Sequence, residues 1–172
     1  MTLRASSLAL VFGLCVSCRA EAPAAEPARR PAEPALVFAF GVPDGTIFGS
    51  ESTRGRVTAV LFITTFDLPS QLMARRLSDV TRSHRPRVNV GAVALEPPRN
   101  AVLVDAFKSS LSLTYPVSLA DPATLAGSGP FGRVRGVPAL VVLDRDGRPR
   151  YRTQGVISVE EIELALRSAE RP

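Results

Sequence analysis

Beyond position 18 the chain contains no cysteine: its two thiols, Cys15 and Cys18, both lie near the start. The rest of the sequence therefore cannot supply a thiolate nucleophile, a disulfide or a thiolate metal site. Tryptophan is absent, aromatic residues make up 6% of the chain, and no dense basic run interleaves with them, which excludes the usual pattern of a nucleic-acid-binding surface. Lysine occurs once, at Lys108, so the formal net charge of +5 is carried by scattered arginines. These read as a solvated surface, with weak attraction to an anionic membrane as the alternative. The single histidine, His84, closes an arginine-rich helical pattern and reads as a surface residue. No G-x-S-x-G elbow is present, so serine hydrolase chemistry lacks its signature.

What remains is enough for one ordinary domain: 172 residues, 45% of them hydrophobic. The first residues have the form of an export signal. Met1 to Arg4 is short and basic, and Leu8 to Val16 is apolar but too short to cross a bilayer. Val16-Ser17-Cys18 resembles a bacterial lipobox, with Cys15 standing where leucine is usual. The expectation is a signal peptide over 1–18 with lipidation of Cys18, where acyl chains would anchor the protein to a membrane at roughly 0.8 kcal/mol per buried methylene. Ordinary cleavage a few residues later, an uncleaved anchor, or a Cys15–Cys18 disulfide are the alternatives. Residues 19–34, RAEAPAAEPARRPAEP, have no apolar periodicity and read as a semi-extended tether. The folded domain is then expected over 35–172.

Strands and helices alternate from there. Ala35 to Phe40 and Thr46 to Phe48 flank Pro43-Asp44-Gly45, as in a short hairpin. VTAVLFIT, Val57 to Thr64, is a continuous β-rich apolar run suited to a central strand. Leu68, Leu72, Met73, Leu77 and Val80 then recur at helical spacing, with Arg75, Asp79 and Arg82 opposite. The helix should stop before Pro86. Val88 to Leu95 predicts a second core strand, Leu103, Phe107 and Leu111 a second helix, and Pro116 to Leu119 a short strand. Ala139 to Asp144 and Arg150 to Thr153 flank Asp146-Gly147, a strong hairpin signal. Ser158 and Glu161 form a capping box before a helix with Ile162, Ala165, Leu166 and Ala169 on one stripe.

Three segments in this order carry a resemblance: the strand-to-helix elbow from Phe62 to Gln71, the run Leu113-Thr114-Tyr115-Pro116-Val117, and Val134-Arg135-Gly136-Val137-Pro138 followed by a strand, the Asp146-Gly147 turn and Gly155. From about Thr46 to Ala169 the chain resembles the thioredoxin-like superfamily, in particular its TlpA-like and redoxin (alkyl-hydroperoxide-reductase-like) branch. The resemblance implies an α/β, thioredoxin-like fold with a central mixed β-sheet and helices on both faces. It also implies a cis peptide bond at Val137-Pro138, against a background of only about 5–6% cis among X-Pro bonds.

The superfamily's chemistry does not carry over. Alignment of the elbow places Asp67 at the nucleophilic cysteine and Ser70 at the resolving one, giving Asp67-Leu68-Pro69-Ser70 in place of C-x-x-C. A carboxylate at a helix start gains from the dipole and can cap the helix, but it cannot form a mixed disulfide. The same substitution removes peroxidase chemistry, although Thr64 occupies the position of the threonine that precedes a peroxidatic cysteine. A Sco-like copper site would need two cysteines and a later histidine. Met73 reads as core, and Asp144-Arg145-Asp146-Gly147 as a turn lacking the other ligands of a calcium loop. No metal or cofactor is expected.

One element of the resemblance needs no sulfur. It implies that the backbone before Pro138 pairs with an extended peptide, in a groove formed by Phe66, Asp67, Val137 and Pro138. The expected function is an envelope-anchored, noncatalytic thioredoxin-like domain that binds a protein or extended peptide, as an accessory factor in redox or envelope maturation. The alternatives are a TlpA/redoxin-family thiol-disulfide oxidoreductase or antioxidant protein acting through an unrecognised or externally supplied group, and a soluble, secreted or periplasmic location.

Overall fold

The computed structural model describes residues 33–84 and 87–171. The expectations placed on the leader, on Cys18 and on the tether up to residue 32 lie outside the described residues. The described chain begins with a hairpin of β1 (Ala39–Gly41) and β2 (Ile47–Gly49), paired antiparallel with Phe40 opposite Phe48. The Asp44 carboxylate closes its turn by accepting from the Thr46 backbone N–H at 3.0 Å and from the Thr46 hydroxyl at 2.6 Å. A single helical turn, α1 (Ser50–Thr53), follows.

The central element is β3 (Val57–Ile63), every residue of which is buried. Then come α2 (Leu68–His84), β4 (Val88–Ala94), α3 (Ala101–Ser110), β5 (Val117–Leu119), the short α4 (Pro122–Ala126), β6 (Ala139–Leu143), β7 (Pro149–Gln154) and α5 (Val159–Glu170). The five-stranded sheet has the order β5-β4-β3-β6-β7, with β4 parallel to β3 and β5, and β6 antiparallel to β3 and β7. The mixed sheet expected from the sequence is the observed one.

Alternation along β3 divides the core in two. Ala59, Leu61 and Ile63 join a cluster with Met73 and Leu77 of α2, Phe107 of α3, and Ile162 and Leu166 of α5. Val60 and Phe62 face a second cluster built largely from phenylalanine: Phe38, Phe40, Phe48 and Phe131. The Phe131 ring meets those of Phe38 and Phe62 edge-on, each at 5.1 Å between centroids. The helical cover on this side is short, with α1 against β2 and Asn89 of β4 donating to the Thr53 carbonyl at 2.9 Å. Gly91 permits the closest approach, since a Cβ there would stand 2.5 Å from the Phe48 ring.

Two helix stripes are rotated from their sequence-based placement. Leu68 and Leu72 of α2 are exposed, and the inward face runs through Ser70, Met73, Leu77 and Val80. In α3, Val104 and Phe107 are buried while Leu103 is half-exposed. Adjacent helix positions differ by about 100°, so a neighbouring apolar residue extends the pattern without sharing the buried face. The α5 stripe is as expected, with Ile162, Ala165, Leu166 and Ala169 all buried behind the Ser158–Glu161 capping box.

Candidate peptide-binding corner

The end of β3 feeds the elbow Thr64-Thr65-Phe66-Asp67, and a helix starting there must satisfy its first backbone N–H groups. Asp67 does this from the cap position: its Oδ1 accepts the Ser70 backbone N–H at 2.7 Å. Its Oδ2 accepts the Ser70 hydroxyl at 2.8 Å and the Thr64 hydroxyl. Ser70 Oγ in turn accepts the Thr64 backbone N–H at 3.2 Å. Ser70 is 0% exposed, so the ring of contacts Thr64–Asp67–Ser70 stands partly sealed beneath the surface. A carboxylate engaged by three donors is a cap and a brace. The position that the sequence resemblance aligns with a nucleophilic cysteine is occupied by an acceptor committed to its own helix.

A second brace was not visible in the sequence. Glu96, just beyond β4, is 2% exposed and accepts the Thr65 backbone N–H at 2.6 Å through Oε1. Its Oε2 accepts the Asn100 side-chain amide at 2.9 Å. A buried carboxylate is costly unless its lone pairs are filled, and both oxygens are filled here by groups that fix the elbow to the segment following β4. The only sequence signal was an acidic residue closing an apolar strand.

Pro138 reaches the same end of the sheet from the other side. Phe62 of β3 is paired with Ala139 of β6, so the residue before β6 lies at the strand end from which the elbow departs. The Val137-Pro138 bond is cis, as the sequence resemblance implied. The Pro138 carbonyl is used, accepting from Gly155 N–H at 2.7 Å. The backbone N–H and C=O of half-buried Val137 have no hydrogen-bond partner among the described residues. Next to the brace, Phe66 is 79% and Leu68 76% exposed. The four residues singled out from sequence thus have different situations: Asp67 is engaged, Phe66 open, Val137 unpaired along its backbone, and Pro138 buried.

The remaining sequence candidates resolve locally. Met73 is fully buried core, and His84 is the last residue of α2. Asp144 organises the β6–β7 turn, accepting from Asp146 N–H at 3.0 Å, Arg148 N–H at 2.9 Å and Arg150 Nε at 2.7 Å. Among the described residues no cluster of three or more His, Cys, Asp or Glu side chains is arranged to hold a metal ion. No described helix is long and apolar enough to cross a membrane.

No family model and no curated protein matches the chain. Solved structures do. A thiol:disulfide interchange protein of the thioredoxin family from Chlorobium tepidum TLS superimposes with a TM-score of 0.70 at 22% identity, covering 83% of this chain and 99% of that one. DsbF of MTB, solved in mixed oxidised and reduced forms, gives 0.66 at 23%, covering 80% and 98%. A secreted Mycobacterium tuberculosis disulfide oxidoreductase homologous to E. coli DsbE gives 0.64 at 19%, covering 77% and 96%. At these identities the likeness is one of fold, and the fold is thioredoxin-like.

Proposed function

We propose that this thioredoxin-like domain is noncatalytic and binds an extended segment of a protein partner at the corner formed by Phe66, Asp67, Val137 and Pro138. The observation that carries the reading is the unpaired backbone of Val137 at the end of a buried sheet. The N–H and C=O of this partly exposed residue have no protein partner among the described residues, and an extended peptide can satisfy both by strand addition. Exposed Phe66 and Leu68 add apolar surface beside that backbone, which favours a segment with apolar side chains. The absence of cysteine after position 18 removes thiol exchange.

In this reading the protein works in the bacterial envelope, held by a lipid on Cys18, as an accessory factor in redox or envelope maturation. The lipobox-like Val16-Ser17-Cys18 and the secreted character of one structural neighbour support the location. A photoreactive amino acid at position 137 tests the corner against a panel of extended, cysteine-free apolar peptides. Crosslinking should be lost when alternate peptide amides are N-methylated. Labelling spread evenly over the surface, or unaffected by N-methylation, would reject the groove.

A further inference from the structure

On the sheet face opposite α2 lies a cavity of about 370 Å³ that the peptide-binding corner does not use. Its apolar wall includes Phe62, Phe131 and Val141, all members of the phenylalanine-rich cluster, to which α2 and α5 contribute nothing. Among the described residues its charged lining consists of Arg133 and Arg152, with no acidic side chain in the wall. The volume is within the range of small-molecule sites.

The two arginines differ in a way that bears on what the cavity holds. Arg152 is fixed: Nη1 donates to the Phe131 carbonyl at 3.2 Å and Nη2 pairs with Glu33 at 3.1 Å. Arg133 has no hydrogen bond or ion pair among the described residues. Its stem passes close to Gly127, which ends α4 at φ 76°: a Cβ added there would stand 3.0 Å from Arg133 Cγ. A side chain at residue 127 would press on that stem. The outcome is an unpaired guanidinium, always charged and forked to meet a carboxylate, at an open cavity with one apolar wall.

We propose that this cavity is a binding site for a small carboxylate with an apolar body, the carboxylate meeting Arg133 and the body resting on Phe62, Phe131 and Val141. Charge complementarity selects the head, and the phenylalanine and valine wall selects the tail. Val137 packs against the same phenylalanine-rich cluster, but none of Phe66, Asp67, Val137 and Pro138 lines the cavity.

Benzoate and its neutral counterpart benzyl alcohol are suitable probes, titrated into the full chain while the Val134 and Val141 methyl resonances are followed. Benzoate should shift both saturably, at least about tenfold more tightly than benzyl alcohol, as one charge-assisted hydrogen bond requires. Arg133→Gln should abolish that preference. Arg135→Gln, an exposed arginine outside the cavity, should leave it intact. Equal binding of acid and alcohol, no saturable shift with benzoate, or an unchanged preference in Arg133→Gln would overturn the proposal. Because Arg133 is exposed and unpaired, its substitution should not unfold the protein, and the native-like dispersion of the same spectra verifies this directly.

Discussion

The Asp67 carboxylate holds Ser70 twice, once through the backbone N–H at 2.7 Å and once through the hydroxyl at 2.8 Å. Removing that carboxylate takes away a helix cap and leaves a buried hydroxyl without its acceptor. Asp67→Ala is therefore expected to cost about 2 kcal/mol, read as a lower urea midpoint with an unchanged slope. Asp67→Asn keeps one acceptor for the backbone and should lose less. A midpoint unmoved in Asp67→Ala would mean that the brace is not formed.

If sulfur is all that the corner lacks, restoring it should restore exchange. The double substitution Asp67→Cys, Ser70→Cys places two thiols at a helix start, where thiolate is favoured. The variant should form an internal disulfide and accelerate insulin reduction, with the native chain remaining at the uncatalysed thiol background. Turnover by the native chain would contradict the noncatalytic reading.

Tyr115 offers a pH test of the core. Its hydroxyl donates to the Ala74 carbonyl at 2.8 Å, and burial pushes the phenol well above its ordinary value near 10. The unfolded chain therefore loses the proton first. Stability from the neutral phenol is complete below about pH 10 and declines as pH rises above it toward the folded value. At neutral pH Tyr115→Phe should be less stable by about 1 kcal/mol through the lost hydrogen bond. The gap should narrow when urea midpoints of both proteins are compared at about pH 8 and about pH 11. A gap independent of pH would contradict the burial of an un-ionised phenol.

Gly91 tests the docking of the hairpin. An added methyl would meet Phe48 ring atoms at 2.5 Å, and Phe48 is itself packed in the aromatic cluster. Gly91→Ala should cost about 1–3 kcal/mol. Phe48→Leu in the same chain should recover part of the loss, a coupling that a double-mutant cycle measures. Additive effects would place the ring elsewhere.

Fold and site were legible in the sequence to different depths. VTAVLFI declared a doubly buried strand because all seven residues are apolar or β-branched, and β3 is buried throughout. The capping box at Ser158 and Glu161 fixed the start of α5 because its two reciprocal contacts are local. The α2 stripe was misplaced because Leu68 and Leu72 fit helical spacing as well as Met73 and Leu77 do. Only the docking against α5 and β4 decides which set turns inward. Glu96 was missed for a related reason: Asn100 is a local partner, but Thr65, the elbow residue that Glu96 holds, joins it only through tertiary contact. The short α1 and α4 have too few residues to show a period at all.

The most direct test of the central claim is amide hydrogen exchange at Val137, followed in the full chain with and without an extended, cysteine-free apolar peptide. Free protein should exchange the Val137 amide rapidly, in contrast to the paired amides of β6, and bound peptide should slow it. A Val137 amide already protected in the free protein, or one whose exchange is indifferent to peptide, would contradict the account.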